Sequence, residues 1–330
     1  MHRDMLDRMT SEPATPSPDL DAEELAAIEA LAIALAREAG ETARAALHGA
    51  VTVEYKPDAQ GKDSTNDPVS EVDRAVEALV RERVADRFPS HAVIGEEVDT
   101  QPEAGADVVW VIDPIDGTAN FINGFPLFAV SVGVLHRGVP VAAAIWCAST
   151  HLLGPGVYHA HTGSTLHLDG VEVPARQTVV KRALAAAPGG SSGGTKEWEH
   201  RVTGSIAIEA ALVAAGVFTS AVFWGPRLWD VAAGALLVRA AGREVWVRMR
   251  GGWVPLARFE APERSSAAKK DDRAPTLRDW RQPVLIGTAE ATALIRSRTR
   301  PPGPIAQVVH TVRALSWRAT RLMRRAIRRG

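Results

Sequence analysis

The sequence predicts a mixed α/β protein whose helices and sheets stack in layers. Two observations support this prediction. Apolar runs of strand length alternate along the chain with amphipathic or Ala-rich segments of helical length, which is the pattern of layered α/β architectures. In addition, 46% of the 330 residues are hydrophobic, enough to build a sizeable core. No run approaches the roughly 18 apolar residues that a membrane-spanning helix needs.

The first half of the chain contains two long predicted helices. Asp21 and Glu24 form a capping box that opens a helix over 22–47. Ser70 opens a second helix that runs to Arg87 and carries valines and a leucine on or near one face. Strands are predicted over 51–55, 91–95, 108–112, 127–135 and 139–147, with shorter ones within 156–174 and a polar loop over 57–66.

Helices and strands alternate again in the second half. The Ala-rich helix 205–215 ends at Gly216, and Asp230 opens a helix that Gly242 closes. Strands are predicted over 217–223, 244–248 and 284–287, followed by a last helix over 290–296.

The chain divides into four predicted parts. Residues 1–20 mix charges with prolines and form a disordered lead-in. Residues 21–188 form an N-terminal α+β half, and 189–296 a C-terminal α/β half that begins at a Gly/Ser-rich boundary. The charged, Pro-containing segment 259–280 is expected to be a surface insertion in the second half. Residues 297–330 form a basic tail.

Two carboxylates three positions apart follow the predicted strand 108–112. Pro114 is expected to end that strand and to fold Asp113 and Asp116 toward one point. At roughly 4 Å and an effective dielectric of about 20, their repulsion is on the order of 4 kcal/mol. A divalent cation removes that repulsion, and hard oxygen ligands suit Mg²⁺. The pair therefore predicts a metal site in the N-terminal half.

The next two residues predict a phosphate site beside the metal. Gly117 lets the backbone approach a ligand closely. Thr118 would begin a short helix, whose free N–H groups suit a phosphate.

Three further acids, Asp73, Glu96 and Asp230, stand at predicted element boundaries, where ligands and catalytic groups usually lie. Each also has a purely structural explanation. In that explanation, Asp73 would complete a helix cap, Asp230 would be an N-cap, and Glu96 would be a solvated loop residue. The Asp113/Asp116 pair resists such an explanation, because a turn gains little from two carboxylates.

Together these segments resemble the signatures of the inositol monophosphatase family. The matching stretches are Gly95-Glu96-Glu97, the run from Asp113 to Phe121, the run from Trp229 to Gly234, Lys62 with Asp67 to Asp73, and Gly204-Ser205. Members of this family are Mg²⁺-dependent, lithium-sensitive phosphomonoesterases, related to fructose-1,6-bisphosphatase and the bisphosphate nucleotidases. The resemblance covers about residues 22–296, with the stretches in the family's order.

The resemblance implies a five-layer α-β-α-β-α sandwich, usually dimeric, and a role for each matching residue. One Mg²⁺ would be held by Glu96, Asp113 and the carbonyl of Ile115. A second would be held by Asp113, Asp116 and Asp230. Glu96 would also help to hold a third. Asp73 and Thr118 would orient and deprotonate the attacking water. The backbone N–H groups of Gly117 and Thr118 would bind the phosphate.

Substrate selection departs from the inositol-specific pattern. Thr219 and Phe223 stand where those members carry acids that accept bonds from sugar hydroxyls. Trp224 and Arg227 would instead bind a flat or doubly anionic substrate, unless Trp224 packs in the core and Arg227 is solvated. Asn120, in contrast, resembles the inositol-phosphatase form of the signature loop.

We therefore expect a sugar- or polyol-phosphate monoesterase. The alternatives are a 3′(2′),5′-bisphosphate nucleotidase and a histidinol-phosphate phosphatase. An alternative of another class is a non-catalytic phosphate-binding or scaffold protein that acts through its tail.

The tail is unusual in charge. Residues 296–330 contain ten arginines and no Asp, Glu or Lys, whereas the whole chain has a formal net charge of −1. Apolar residues at 308, 312, 315, 319 and 322 fall on one helical face. Residues 305–330 would be disordered or docked on the protein's own body, or would bind an anionic membrane surface, nucleic acid or a partner. The single cysteine, Cys147, fits a reducing cytoplasm.

Overall fold

The computed structural model describes residues 20–49, 52–57, 63–98, 106–174, 182–186, 197–263 and 273–299. The predicted lead-in, apart from Leu20, and the tail from residue 300 onward lie outside the described residues. Within the described ranges, no helix is both long and apolar enough to cross a membrane.

The predicted helices and strands all occur in the predicted order, together with strands at 63–70, 183–186, 198–201 and 252–255 that were not predicted. The helices are α1 Ala22–Ala46, α2 Glu71–Arg87, α3 Thr118–Ile122, α4 Ile206–Ala214, α5 Leu228–Ala240 and α6 Ala289–Arg298. The strands of the first half are β1 Val53–Pro57, β2 Asp63–Ser70, β3 Ala92–Gly95, β4 Val108–Asp116, β5 Ala129–His136, β6 Val139–Cys147, β7 Gly156–His161, β8 His167–Leu168 and β9 Val171–Glu172. Those of the second half are β10 Ala183–Ala186, β11 Trp198–Arg201, β12 Phe218–Phe223, β13 Glu244–Met249, β14 Gly252–Pro255 and β15 Val284–Gly287.

Strands β3 to β9 form a seven-stranded sheet in sequence order, in which only the β3–β4 pair is parallel. Its central strands are buried on both faces, which explains their nearly continuous apolar sequences. Along β4 the side chains alternate between two cores: Val109 and Val111 belong to one, and Trp110 and Ile112 to the other.

The second sheet has six strands in the order β11-β10-β12-β15-β13-β14. Helices α4 and α5 pack between the two sheets, since they contact strands of both. Helices α1 and α2 cover the other face of the seven-stranded sheet. Helix α6 packs on the six-stranded sheet through a separate small cluster built on Trp198 and Ala291. The order of layers is therefore α-β-α-β-α, and the predicted five-layer sandwich is confirmed.

Helix α1 begins and packs as its sequence dictates. The Asp21 carboxylate accepts a hydrogen bond from the Glu24 backbone N–H at 2.7 Å and so caps the first turn. At Gly40 the helix lies directly against the buried indole of Trp146 on β6, where an added Cβ would come within 2.0 Å of the ring. Nearer the start of the same helix, Glu29 accepts bonds from His159 and His161 of β7 at 2.9 and 2.6 Å.

Three local predictions are wrong. Residues 63–66 are not part of a loop but belong to β2, which pairs with β1 as an antiparallel hairpin. Pro114 does not end its strand, because β4 continues to Asp116. Helix α5 begins at Leu228, so that Asp230 is its third residue rather than its N-cap.

The predicted surface insertion, 259–280, is anchored to the body at both ends. Phe259 and Trp280 are buried and meet edge to face, with ring centroids 4.9 Å apart. A short 3-10 helix spans Leu277–Asp279. Residues 264–272, the middle of the insertion, lie outside the described ranges.

Candidate active site

A β-bulge places the two signature aspartates on one face of the seven-stranded sheet. Asp113 is opposite Ser131 and Asp116 is opposite Ala129, so β4 has one more residue than β5 in this interval. Residues three apart on a regular strand point to opposite faces. The extra residue restores a common face, because Ser131 and Ala129 are two apart. Pro114 fits here, since it has no N–H to contribute to the sheet.

The face on which they lie is the one covered by helices α4 and α5. Two donors from the start of α4 bind the same oxygen of Asp116: the Ser205 hydroxyl at 2.7 Å from Oδ2, and the Ala207 backbone N–H. Ser205 also caps the helix by accepting a bond from the Ile208 N–H at 3.2 Å. Burial raises the pKa of Asp116 to about 6, although these bonds oppose the shift.

Asp113 lies deeper, and carboxylates surround it. Its side chain is 2% exposed and accepts a bond from the Ile115 backbone N–H at 3.1 Å. Burial raises the pKa of Asp113 well above its usual range, and repulsion from Glu96, Asp116, Asp230 and Asp73 raises it further. The four other acids that were predicted from separate parts of the chain thus all raise the pKa of Asp113.

Parallel pairing of β3 with β4 accounts for the position of Glu96. Gly95 is opposite Ile112 in the last pair of this ladder. The next residues, Glu96 and Asp113, therefore follow at the same end of the two strands. Asp73 lies in the first turn of α2 and is 1% exposed. Burial this complete is not expected of an ordinary helix-capping residue.

Asp230 reaches the site from the second half of the chain. The Ser131 hydroxyl, on the face shared by Asp113, donates to the carbonyl of Trp229 at 3.3 Å and thereby joins β5 to the start of α5. The Asp230 Oδ2 atom accepts a bond from the Arg227 backbone N–H at 2.7 Å. Burial of its carboxyl group, followed by repulsion from Asp116, raises the pKa of Asp230 to about 8.

The Gly117–Thr118 turn fits closely between the site and helix α4. Gly117 has a φ of 89°, and a Cβ there would lie 3.2 Å from the Leu127 carbonyl oxygen and from the Ser205 Cβ. A side chain at this position would meet both strain and crowding. The Thr118 hydroxyl donates to the Ile115 carbonyl at 2.9 Å, so two residues with predicted roles are in direct contact.

A further buried carboxylate, Glu209, was not predicted from the sequence and supports this turn. Glu209 on α4 accepts bonds from the backbone N–H and the hydroxyl of Thr203 at 3.1 and 3.0 Å. The carbonyl of Thr203 in turn accepts a bond from the Asn120 side-chain amide at 2.8 Å. Burial raises the pKa of Glu209 to about 7. Asn120 therefore connects the signature loop to helix α4 and acts here as a structural residue.

Of the predicted substrate residues, Arg227 adjoins the acids through its backbone N–H, which binds Asp230, while both side chains lie at the surface. Trp224 is 49% exposed, so the alternative that it packs in the core is wrong. Its ring contacts Trp253 at a centroid distance of 6.2 Å and lies under the guanidinium of Arg248. Arg227 is exposed, with its guanidinium 6.0 Å from the Trp229 ring. Phe223 is buried.

The donor set has the right chemistry for a hard cation, although its oxygens do not converge on one point. Among the described residues, no three His, Cys, Asp or Glu side chains are grouped closely enough to hold an ion. The charges that raise the pKa of Asp113 are nevertheless those of other carboxylates. Buried anions of this kind are stabilised by a cation, and carboxylate and carbonyl oxygens are the ligands that suit Mg²⁺.

Residues 24–278 match the family model described as the inositol monophosphatase family. The chain belongs to this family. The match spans the seven-stranded sheet, both helices between the sheets and every predicted site residue. The family predicted from the sequence signatures is thus confirmed.

Among the inositol monophosphatase relatives, the chain is 35% identical over 206 residues to Phosphatase IMPL1, chloroplastic, of Arabidopsis thaliana. That match covers 57% of this chain and 55% of the relative's length. It is 31% identical over 233 residues to Inositol monophosphatase 2 of Solanum lycopersicum, with 64% and 84% covered. A solved IMPase/NADP phosphatase complexed with Mg²⁺ and phosphate has the same fold, with a TM-score of 0.62, 17% identity, and 84% and 97% of the two chains covered.

Ser205 is expected to orient Asp116 as well as to cap helix α4. Ser205→Ala should reduce the free energy of unfolding by about 1 kcal/mol through loss of the cap. It should also weaken Mg²⁺ binding about tenfold, because Asp116 loses a bond that fixes its orientation. Urea denaturation and Mg²⁺ titration calorimetry measure the two effects.

Thr288→Ala provides the matched control for Ser205→Ala. Thr288 caps α6 in the same way, by accepting a bond from the Ala291 N–H at 3.2 Å, and it lies outside the carboxylate cluster. It should show a similar stability loss and unchanged Mg²⁺ affinity. Equal Mg²⁺ affinities in Ser205→Ala and the wild type would contradict the orienting role.

The raised carboxylate pKa values predict a pH-dependent stabilisation by Mg²⁺. Folded-state pKa values of about 6 for Asp116 and about 8 for Asp230 exceed the ordinary value of 3.8. Their contribution to stability is therefore complete below about pH 4 and is lost as the pH rises through 6 and 8. Mg²⁺ replaces the lost protons, so it should raise the Tm more at about pH 8 than at about pH 5. Differential scanning calorimetry with Mg²⁺ or with EDTA tests this, and equal increases at the two pH values would refute it.

Proposed function

We propose that the protein is a Mg²⁺-dependent phosphomonoesterase that hydrolyses a small sugar or polyol phosphate. The observation that carries this proposal is the placement of Asp113 and Asp116 on one buried face, beside the start of α4 and the Gly117 turn. Membership of a family whose relatives are named as phosphatases supports it. The Mg²⁺ and phosphate bound by a protein of the same fold support the cofactor and the ligand class.

The metal would be held by carboxylates from both halves of the chain. Glu96, Asp113, Asp116, Asp230 and the Ile115 carbonyl are the groups that would hold two or three Mg²⁺ ions. When bound, the ions supply Lewis-acid stabilisation of the phosphate charge and lower the pKa of water. Glu96 and Asp230 are more exposed than the two aspartates of β4. We therefore expect their side chains to move more than those of Asp113 and Asp116 when the ions bind.

The remaining residues would position the phosphate and the attacking water. Backbone N–H groups of Gly117 and Thr118 would donate to phosphate oxygens. Asp73 and the Thr118 hydroxyl would orient the water, and Asp73 would accept its proton. The Glu96 carboxylate would help to orient the same water.

Two features bear on the choice of substrate. Phe223 is buried and has no polar side-chain atom, and the Thr219 hydroxyl, which donates to the Leu184 carbonyl at 3.0 Å, is neutral. Neither position therefore offers a carboxylate to a polyhydroxyl ring. Half-exposed Trp224 and exposed Arg227 lie on the loop that leads to Asp230. A ring that stacks and a guanidinium that binds a second anionic group would suit a 3′(2′),5′-bisphosphate nucleotide, which is our second candidate. Histidinol phosphate is a third.

A substrate panel tests the activity and ranks the candidates. Phosphate release should be highest with a sugar or polyol monophosphate, should require Mg²⁺ and should be inhibited by Li⁺. Preference for a bisphosphate nucleotide that is lost in Trp224→Ala would establish the second candidate instead. The assay measures initial rates with inositol phosphate, adenosine 3′,5′-bisphosphate and histidinol phosphate at matched concentrations.

Asp113→Asn is the control for that panel. It keeps an oxygen ligand but removes the charge, and we expect phosphate release to fall by at least about a hundredfold. Wild-type rates in Asp113→Asn would remove Asp113 from its proposed role. Absence of release from every substrate, with phosphate still bound, would favour the non-catalytic phosphate-binding or scaffold alternative.

We further propose a cytoplasmic homodimer whose tail, residues 305–330, contacts an anionic membrane surface. Buried Cys147 is consistent with a reducing compartment, since burial raises the pKa of its thiol and makes it unreactive. The ten arginines of 296–330 provide the charge for anionic lipid, and the apolar face of the predicted amphipathic helix provides the means to insert. Nucleic acid, an acidic partner or the protein's own acidic body are the competing occupants.

Liposome flotation separates these occupants. The full chain should float with vesicles containing phosphatidylserine, while a chain ending at residue 296 should not, and added salt should reduce flotation. Equal flotation of the two chains would refute the membrane contact. Binding of duplex DNA that is lost with the tail would favour nucleic acid.

A further inference from the structure

Arg278 joins the two segments that carry Glu96 and Asp230. Its guanidinium donates to the carbonyl of Gly95 through Nη1 and to the carbonyl of Glu96 through Nη2, the latter at 2.9 Å. The same guanidinium lies over the ring of Trp229, at 4.9 Å from the centroid. One side chain of the second half thus contacts the backbone carbonyls of Gly95 and Glu96, and the ring of Trp229, the residue before Asp230.

The segment that presents Arg278 is itself fixed. The Asp279 carboxylate accepts bonds from the Thr276 backbone N–H at 2.8 Å and closes the 3-10 helix. Arg273 binds both oxygens of Asp279 at 2.7 Å. Trp280 is buried directly after this turn. The guanidinium of Arg278 is therefore supported by a closed turn rather than by a freely moving loop.

The Glu96 segment is also held from its other side. Glu77 on α2 is fully buried and accepts bonds from the backbone N–H groups of Glu97 and Val98 at 2.6 and 3.2 Å. Arg81 binds Glu77 through two nitrogens, at 2.9 and 2.7 Å. Gly95 lies so close that an added Cβ would be 2.3 Å from the Glu77 carboxyl group. Glu77 therefore holds the N–H groups of this segment, and Arg278 holds its carbonyls.

We propose that Arg278 is a positioning residue that fixes Glu96 relative to Asp230 and so assembles the metal site from the two halves of the chain. This inference rests on the proposed function. A planar guanidinium suits the task because its edge donates two bonds while its face stacks on an indole. A lysine ammonium has neither the fork nor the flat face. Groups that orient metal ligands in this way commonly contribute about tenfold to a hundredfold to metal affinity.

The test uses Arg278→Gln and Arg278→Lys in the full chain, with Arg137→Gln as the matched control. Arg137 likewise donates hydrogen bonds through its guanidinium, but to the carboxylate of Asp107, at 3.0 Å, in an exposed pair away from both ligand segments. Mg²⁺ affinity is measured by titration calorimetry, kcat and KM by phosphate release, and backbone mobility by hydrogen exchange without Mg²⁺.

Arg278→Gln should weaken Mg²⁺ binding about tenfold to a hundredfold and lower kcat with little change in KM. Amides of 95–98 should exchange faster in the metal-free protein. Arg278→Lys should recover only part of each loss, and Arg137→Gln should match the wild type in all three measurements. A loss of stability alone would also lower the apparent kcat at unchanged KM, but it would not weaken Mg²⁺ binding by the folded molecules or confine the faster exchange to 95–98.

Wild-type Mg²⁺ affinity in a folded Arg278→Gln protein would overturn the inference. So would unchanged amide exchange at 95–98, a readout that needs neither metal nor turnover and that Arg278→Lys supplies if Arg278→Gln fails to fold. A wild-type protein that releases no phosphate and binds no Mg²⁺ would instead refute the proposed function, while the exchange data would still decide whether Arg278 holds the segment.

Discussion

The burial of several carboxylates beside one another is the constraint on which the rest of the structure depends. Asp113 is almost completely buried and is repelled by four other acids, a state that is unfavourable unless protons or a cation compensate it. Much of the local architecture reduces this cost. The start of α4 directs two donors at Asp116, and the Arg227 N–H binds Asp230. The site is thus prepared for positive charge, which explains why the acids lie between layers rather than on the surface.

Neither half of the chain makes this site alone. The seven-stranded sheet and α2 supply Asp73, Glu96, Asp113 and Asp116, while the second half supplies Asp230 and the residues that hold the others. Ser205 binds Asp116, and Arg278 binds the backbone around Glu96. The Ser131 hydroxyl reaches across the same interface to the Trp229 carbonyl. Packing of α4 and α5 between the sheets therefore has two results at once, because it closes the largest hydrophobic core and assembles the candidate active site.

The helices, most strands and the family could be predicted from the sequence, because each depends on a local signal. Periodicity and caps identified α1 and α2, and the signatures around Glu96, Asp113 and Asp230 identified the family. The bulge could not be predicted in this way, since Pro114 usually ends a strand and only pairing with β5 shows that this one continues. Arg278 and Glu209 were missed for a related reason: their partners lie elsewhere in the fold or in an irregular turn. For Glu77 the sequence does contain a weak signal, because Glu77 and Arg81 are spaced as an i,i+4 pair on the helix that carries Asp73.

The single extra residue in β4 has a consequence for how this protein tolerates change in length. Asp113 and Asp116 share a face only because β4 is one residue out of step with its neighbour between them. A deletion of one residue there would restore the ordinary alternation and turn one aspartate into the apolar layer beneath α1 and α2. Side-chain replacements at the intervening positions leave the count intact. Substitutions at positions 114 and 115 should therefore be tolerated better than any change in the number of residues between Asp113 and Asp116.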